Sequence, residues 1–156
     1  MTIQFRDWEL TVDKELTKQA YTKARNGGAE TCSCDECKNF INYRDKVYPL
    51  EIKNLFNDLG IDFRKECEVE HAEKLNNGLH AYSGWFHFQG SFIGETCSKP
   101  AEEGKFTFVM TPITEYFSIG FRKESHLTFF PQKENLVQIE FDVKIPWTLD
   151  SAWESD

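Results

Sequence analysis

Near the end of the chain, apolar and polar residues alternate strictly, and this pattern predicts a β-strand. The polar positions include Glu140 and Asp142, and the apolar positions are Val137, Ile139, Phe141, Val143 and Ile145. A period of two places the apolar side chains on one face of a strand and the polar ones on the other. We therefore expect a sheet with one buried face and one solvent-facing face, with Glu140 and Asp142 exposed.

Helical spacing is clearest in the segment that begins at Pro49 and ends before Gly60. Its apolar residues follow the i, i+3, i+4, i+7 pattern of a helix with one buried face: Ile52, Leu55, Phe56 and Leu59. Proline suits a first helical turn, and glycine suits the residue after the last one. We expect Lys53, Asn54 and Asn57 to point to water.

Two further helices are predicted earlier in the chain. The first follows a possible cap at Asp13, with a stripe formed by Leu16, Ala20 and Ala24. The second is expected to begin near Asp35, because four of the residues that follow recur at helical spacing. These positions are Cys37, Phe40, Ile41 and Arg44.

The remaining segments predict strands joined by turns. Thr2–Val12 is interpreted as one strand with a bulge between Phe5 and Trp8, and the later predicted strands are Glu66–Glu73, Leu79–Ile93, Lys105–Thr111, Tyr116–Lys123 and Leu127–Phe130. Helices grouped before strands favour a single α+β domain over residues 1–156. We predict an antiparallel sheet of about five to seven strands, with two or three helices packed on one face, and expect Trp147 or Trp153 to fold back over the core.

Charge limits the classes of partner that the chain can have. The 26 acidic residues outnumber the 18 basic residues and give a net charge of −8 at pH 7. This balance argues against nucleic-acid binding, which depends on lysine and arginine contacts to phosphates, and it would steer a basic protein partner towards the chain. No apolar run approaches the roughly 20 residues of a membrane span, and the first residues lack a signal-peptide pattern. We therefore expect a cytoplasmic protein with no membrane partner.

A cluster of cysteines is the most specific chemical feature of the sequence. Cys32, Cys34 and Cys37 lie within six residues, in a segment expected to lead into a helix. Zinc binds about four ligands tetrahedrally and converts thiols into bound thiolates, so a bound zinc ion would stabilise three cysteines that lie close together. The cluster predicts a structural zinc site or a metal-responsive thiol site. The candidates for a fourth ligand are Cys67, Cys97 and His71, and spacing does not choose among them.

Other interpretations of the sequence remain open. Cys34 and Cys37 could form a thiol redox pair, or the cysteines could simply pack in the core. The strand around Trp85, His87 and Gln89 lies between glycines and could bind a planar small molecule. The sequence contains no phosphate-binding loop and no nucleophile-elbow motif, so catalytic residues are unknown and the question of enzymatic activity stays open. A non-enzymatic interaction protein with a cysteine–metal site is the favoured hypothesis.

Overall fold

A seven-stranded antiparallel sheet forms the centre of the computed structural model, which describes residues 1–150 and 154–156. Along the chain the elements are β1 (Thr2–Phe5), β2 (Trp8–Val12), α1 (Lys14–Lys23), α2 (Asp35–Tyr43), α3 (Leu50–Leu59), β3 (Glu68–Lys74), β4 (His80–Ile93), β5 (Ser98–Pro100), β6 (Phe106–Phe108), β7 (Thr111–Pro112), β8 (Phe117–Arg122) and β9 (Leu136–Ile145). The strand order is β1-β2-β4-β9-β8-β7, with β3 also paired to β4, while β5 and β6 form a separate hairpin. The predicted α+β fold is confirmed.

Aromatic rings join the helices to the inner face of the sheet. Phe56 on α3 lies 4.7 Å from Phe86 on β4, measured between ring centroids, and Tyr48 lies 5.5 Å from Phe141 on β9. The predicted inner residues of β9 and the apolar stripe of α3 are all buried. Asn54 and Asn57 are exposed as predicted, whereas Lys53 is half-buried.

The outer face of the sheet is less exposed than the sequence predicts. Glu140 retains only 13% of its side-chain exposure, and Gln138 and His87 are buried, so the expectation that Glu140 would be exposed is wrong. Arg122 on β8 lies against Glu140, with Nε 3.5 Å from Oε1. A loop covers the neighbouring residues: the His126 carbonyl accepts from Trp85 Nε1, and the His126 amide donates to Gln138 Oε1. Asp142 is exposed as predicted.

The N-terminal segment folds as a hairpin rather than as one bulged strand. Phe5 pairs directly with Trp8, and the chain reverses through Arg6, which has a φ of 51°. A two-residue turn therefore explains the change of parity that suggested a bulge. The predicted stripe of α1 is also shifted: Leu16 is exposed, whereas Thr17 is buried and its Oγ1 accepts from the Gln89 amide.

Three smaller predictions concern the later part of the chain. Leu127–Phe130 contains no strand, and Glu66 lies before β3 rather than within it. Trp147 packs against His80 with ring centroids 5.0 Å apart, while Trp153 lies outside the described residues. Within the described ranges, no helix has both the length and the apolar character needed to cross a membrane.

Candidate metal centre

The three clustered cysteines meet at the N-terminus of α2. A short 3-10 turn over Gly28–Thr31 leads into Cys32, and Cys34 is the N-cap residue of α2, followed by Cys37 in its first turn. The three sulfurs all lie within 4.8 Å of one another, and the Sγ atoms of Cys32 and Cys34 are 2.9 Å apart. The predicted proximity of the sulfurs is confirmed, and α2 begins at Asp35 as expected.

Hydrogen bonds within the cluster favour a thiolate at Cys32. Cys32 Sγ is hydrogen-bonded to Cys34 Sγ at 2.9 Å and accepts from the Cys34 backbone N–H at 3.5 Å. These contacts with Cys34, followed by one with the Cys37 side chain, lower the pKa of Cys32. Burial has the largest effect on the pKa of Cys34 and of Cys37, and it raises both values. Cys32 is exposed and Cys37 is buried, so the first proton leaves from the sulfur that solvent reaches most easily.

The spacing of the sulfurs fits a zinc ion with small adjustments. Tetrahedral zinc with Zn–S bonds of about 2.3 Å holds its sulfurs about 3.8 Å apart. The 2.9 Å separation of Cys32 and Cys34 would need to widen by about 0.9 Å. Cys32 is exposed and precedes the helix, so its side chain is the easiest of the three to move.

None of the predicted fourth ligands belongs to the sulfur cluster in the described part of the chain. Cys67 contacts the carbonyl of Leu127, and Cys97 lies against Gly120 on β8. His71 Nε2 lies 2.9 Å from His80 Nδ1. The choice of Cys67, Cys97 or His71 as a metal ligand thus stays a prediction, and the geometry brings together three cysteines that are close enough to hold a metal ion.

A buried ion pair that the sequence did not reveal fixes the turn before the cluster. Glu66 is fully buried, and its Oε1 accepts from Arg44 Nη2 at 2.9 Å and from the Ala29 amide at 3.1 Å. Arg44 also contacts Glu30 in the same turn. A Cβ at Gly27 would lie 2.7 Å from Glu66 Oε1, so this position needs glycine. We call Arg44 and Glu66 the buried clamp, and Glu30 contacts Arg44 from its exposed side.

The opposite side of α2 contacts the C-terminal segment and the sheet. The Tyr82 hydroxyl donates to the Glu36 carbonyl at 2.7 Å, and Asn39 Oδ1 accepts from the Thr148 amide at 2.7 Å. The Ser155 hydroxyl donates to the Glu36 carboxylate. Contacts on both sides therefore hold the helix that carries Cys37.

The predicted small-molecule residues on β4 make hydrogen bonds within the protein. Trp85 Nε1 donates to the His126 carbonyl, and His87 Nε2 lies 2.9 Å from Gln138 Oε1. Gln89 Nε2 donates to the Glu134 carbonyl at 2.7 Å. The polar atoms of this strand face are thus used in joining β4 to β9 and the covering loop, and ligand binding by these residues stays a prediction.

Comparison of the chain with known protein families, curated proteins and solved structures found no match.

Proposed function

We propose that the chain is a small acidic interaction protein that binds zinc, or a similar soft metal ion, through Cys32, Cys34 and Cys37. The observation that carries this proposal is the convergence of three sulfurs within 4.8 Å at the start of α2. Thiolates are the preferred protein ligands of soft metal ions. The lowered pKa of Cys32 supports metal binding, because a ligand must lose its proton before it coordinates.

The exposure of the cluster favours a metal-responsive site over a closed structural one. Structural zinc sites surround the ion with four protein ligands, whereas the residues that the structure describes provide three, one of them exposed. The fourth position would then be taken by water or by a donor from a partner. A basic protein would be attracted by the net charge of −8. We place the protein in the cytoplasm, where reducing conditions keep such thiols free.

Metal analysis combined with thiol titration tests the proposal. Protein purified with zinc present should contain one metal ion per chain, and the reactive thiols should increase after chelation. Cys34→Ser should lose most of the metal. Cys97→Ser is the matched control, because Cys97 lies against Gly120 and outside the cluster, and it should retain the metal. Equal metal content in the two variants would contradict the proposal.

A thiol redox pair is the second candidate, and one distance favours it. The Sγ atoms of Cys32 and Cys34 are 2.9 Å apart, although the sequence suggested Cys34 and Cys37 as the pair. A low-pKa thiol beside a second thiol is the arrangement used in disulfide exchange. In this case, Cys34→Ser would abolish a reversible loss of thiols while metal content stayed at background in the wild-type protein.

A further inference from the structure

A second concave site lies between the β5–β6 hairpin and the ends of β4 and β8. This hairpin cleft has a volume of about 670 Å³, which falls within the usual range for small-molecule sites. Phe92, Phe106 and Phe108 line it, and Phe106 and Phe108 are 67% and 50% exposed. Aromatic surface is thus presented to solvent by a chain that buries most of its other phenylalanine rings.

Arg122 gives the hairpin cleft an unused set of hydrogen-bond donors. Its side chain is only 17% exposed and its guanidinium lies over the Phe108 ring, 5.0 Å from the centroid. Nε is buried without a hydrogen-bond partner, and Glu140 Oε1 lies 3.5 Å from it. Within residues 1–150 and 154–156 the guanidinium makes no hydrogen bond. Buried arginines normally satisfy most of their five donors, so this one has capacity for an anion.

The local charge of the hairpin cleft supports an anionic ligand. Arg122 and Lys123 line it together with one acid, Glu124. Glu124 is partly compensated, since its Oε1 accepts from the Ser125 amide and its Oε2 lies 3.6 Å from His126 Nε2. With Glu140, which pairs with Arg122, the cleft region has two cationic and two acidic side chains, so it is less acidic than a chain whose net charge is −8. Arginine recognises planar carboxylates through paired hydrogen bonds while its face stacks on an aromatic ring.

We propose that the hairpin cleft binds a small anion that carries an apolar ring, such as an aromatic carboxylate. The rings of Phe92, Phe106 and Phe108 hold its apolar part, and Arg122 binds its charged group. This site is separate from the cysteine cluster and does not depend on metal binding.

Two fluorescent probes with the same ring system test this proposal on the full chain. One is 1-anilinonaphthalene-8-sulfonate, an apolar anion, and the other is N-phenyl-1-naphthylamine, which lacks the sulfonate. The wild-type protein should bind one molecule of the anionic probe, roughly tenfold or more tightly than the neutral one, because hydrogen bonds to charged groups stabilise a complex by at least that factor. Equal affinities for the two probes would overturn the proposal.

Variants test separately which residues bind the charged group of the probe and which bind its rings. The double variant Arg122→Gln, Glu140→Gln removes both charges of the pair and should abolish the preference for the anionic probe. Phe106→Ser should weaken the binding of both probes. Leu50→Ser removes a similarly exposed apolar side chain on α3 and should leave the affinity for both probes unchanged. A preference that survives the double variant, or unchanged binding in Phe106→Ser, would overturn the proposal.

An exposed charge reversal keeps the test decisive if the double variant fails to fold. Near-ultraviolet circular dichroism and a cooperative unfolding curve report folding for each variant. Lys123 is exposed, so Lys123→Glu should keep the fold and weaken the anionic probe several-fold while leaving the neutral probe unchanged. An equal effect on both probes, or none on either, would count against the assigned anion site.

Discussion

Removing the carboxylate of the buried clamp should destabilise the protein strongly. In Glu66→Ala, Arg44 Nη2 loses its partner at 2.9 Å and the Ala29 amide loses its acceptor at 3.1 Å, in a site where the Arg44 side chain is 8% exposed. Breaking a buried ion pair by deleting one partner costs about 3–5 kcal/mol. Because Glu30 still contacts Arg44, we expect a loss of about 3 kcal/mol.

Urea unfolding followed by tryptophan fluorescence measures this loss, with a surface ion pair as the control. Arg6 and Glu51 form a bidentate pair whose side chains are 41% and 43% exposed, so Glu51→Ala should cost about 0–1 kcal/mol. Burial raises the pKa of Glu66 in spite of the attraction of Arg44, so burying the charged carboxylate at neutral pH lowers the free energy of unfolding. Glu66→Gln should therefore lose less stability than Glu66→Ala. If Glu66→Ala lost no more than Glu51→Ala, the clamp would not hold the turn.

Three further predictions concern the core and its response to pH. Phe141→Ala removes a ring that is 1% exposed and should cost about 3–5 kcal/mol by forming a cavity, measured by urea unfolding; a loss below about 1 kcal/mol would contradict this packing. Leu55→Asp places a carboxylate in the interface between α3 and the sheet and should prevent cooperative thermal unfolding at neutral pH, whereas a wild-type melting curve would mean that α3 is not part of the core. Burial lowers the pKa of His87 from its ordinary value of 6.5 to about 4, because the folded protein favours the neutral imidazole. The neutral side chain therefore contributes its full stability above pH 6.5, and this contribution is lost as the pH falls through about 4. Between pH 7 and pH 4, the wild-type protein should therefore lose about 3 kcal/mol more than His87→Gln does, and parallel curves for the two proteins would contradict this assignment.

Periodicity was sufficient to predict the elements that bury one regular face. The alternation through β9 predicted every inner residue from Val137 to Ile145, because a strand packed against helices needs apolar side chains at every second position. The stripe of α3 predicted Ile52, Leu55 and Phe56 for the same reason at helical spacing. These patterns depend on the local backbone, so the sequence contains them directly.

The outer face of the sheet could not be predicted from the pattern of one strand. Glu140 and His87 occupy polar positions, yet Glu140 lies against Arg122 on β8, and His87 lies under the loop that carries Phe130, with ring centroids 6.3 Å apart. A polar side chain looks the same in the sequence whether water or a loop satisfies its hydrogen bonds. Tertiary contacts therefore decide whether such polar positions are buried or exposed.

The candidate site was predictable only in its central part. Short spacing brought Cys32, Cys34 and Cys37 together, because few residues separate them. The buried clamp joins Arg44 and Glu66, which are 22 residues apart, and Glu66 was predicted as the first residue of a strand. A glycine pair at Gly27 and Gly28, where backbone and carboxylate approach closely, is the only local sign of that contact in the sequence.

X-ray absorption at the zinc edge tests the metal site most directly, because it counts the sulfur atoms around the ion. The three-cysteine geometry predicts that zinc-loaded protein has three sulfurs at about 2.3 Å and one lighter ligand at about 2.0–2.2 Å. Cys34→Ser should lower the sulfur number or lose the ion, and Cys97→Ser should leave the spectrum unchanged. A spectrum without a sulfur shell, or protein that takes up no zinc, would contradict the assignment of Cys32, Cys34 and Cys37 as metal ligands.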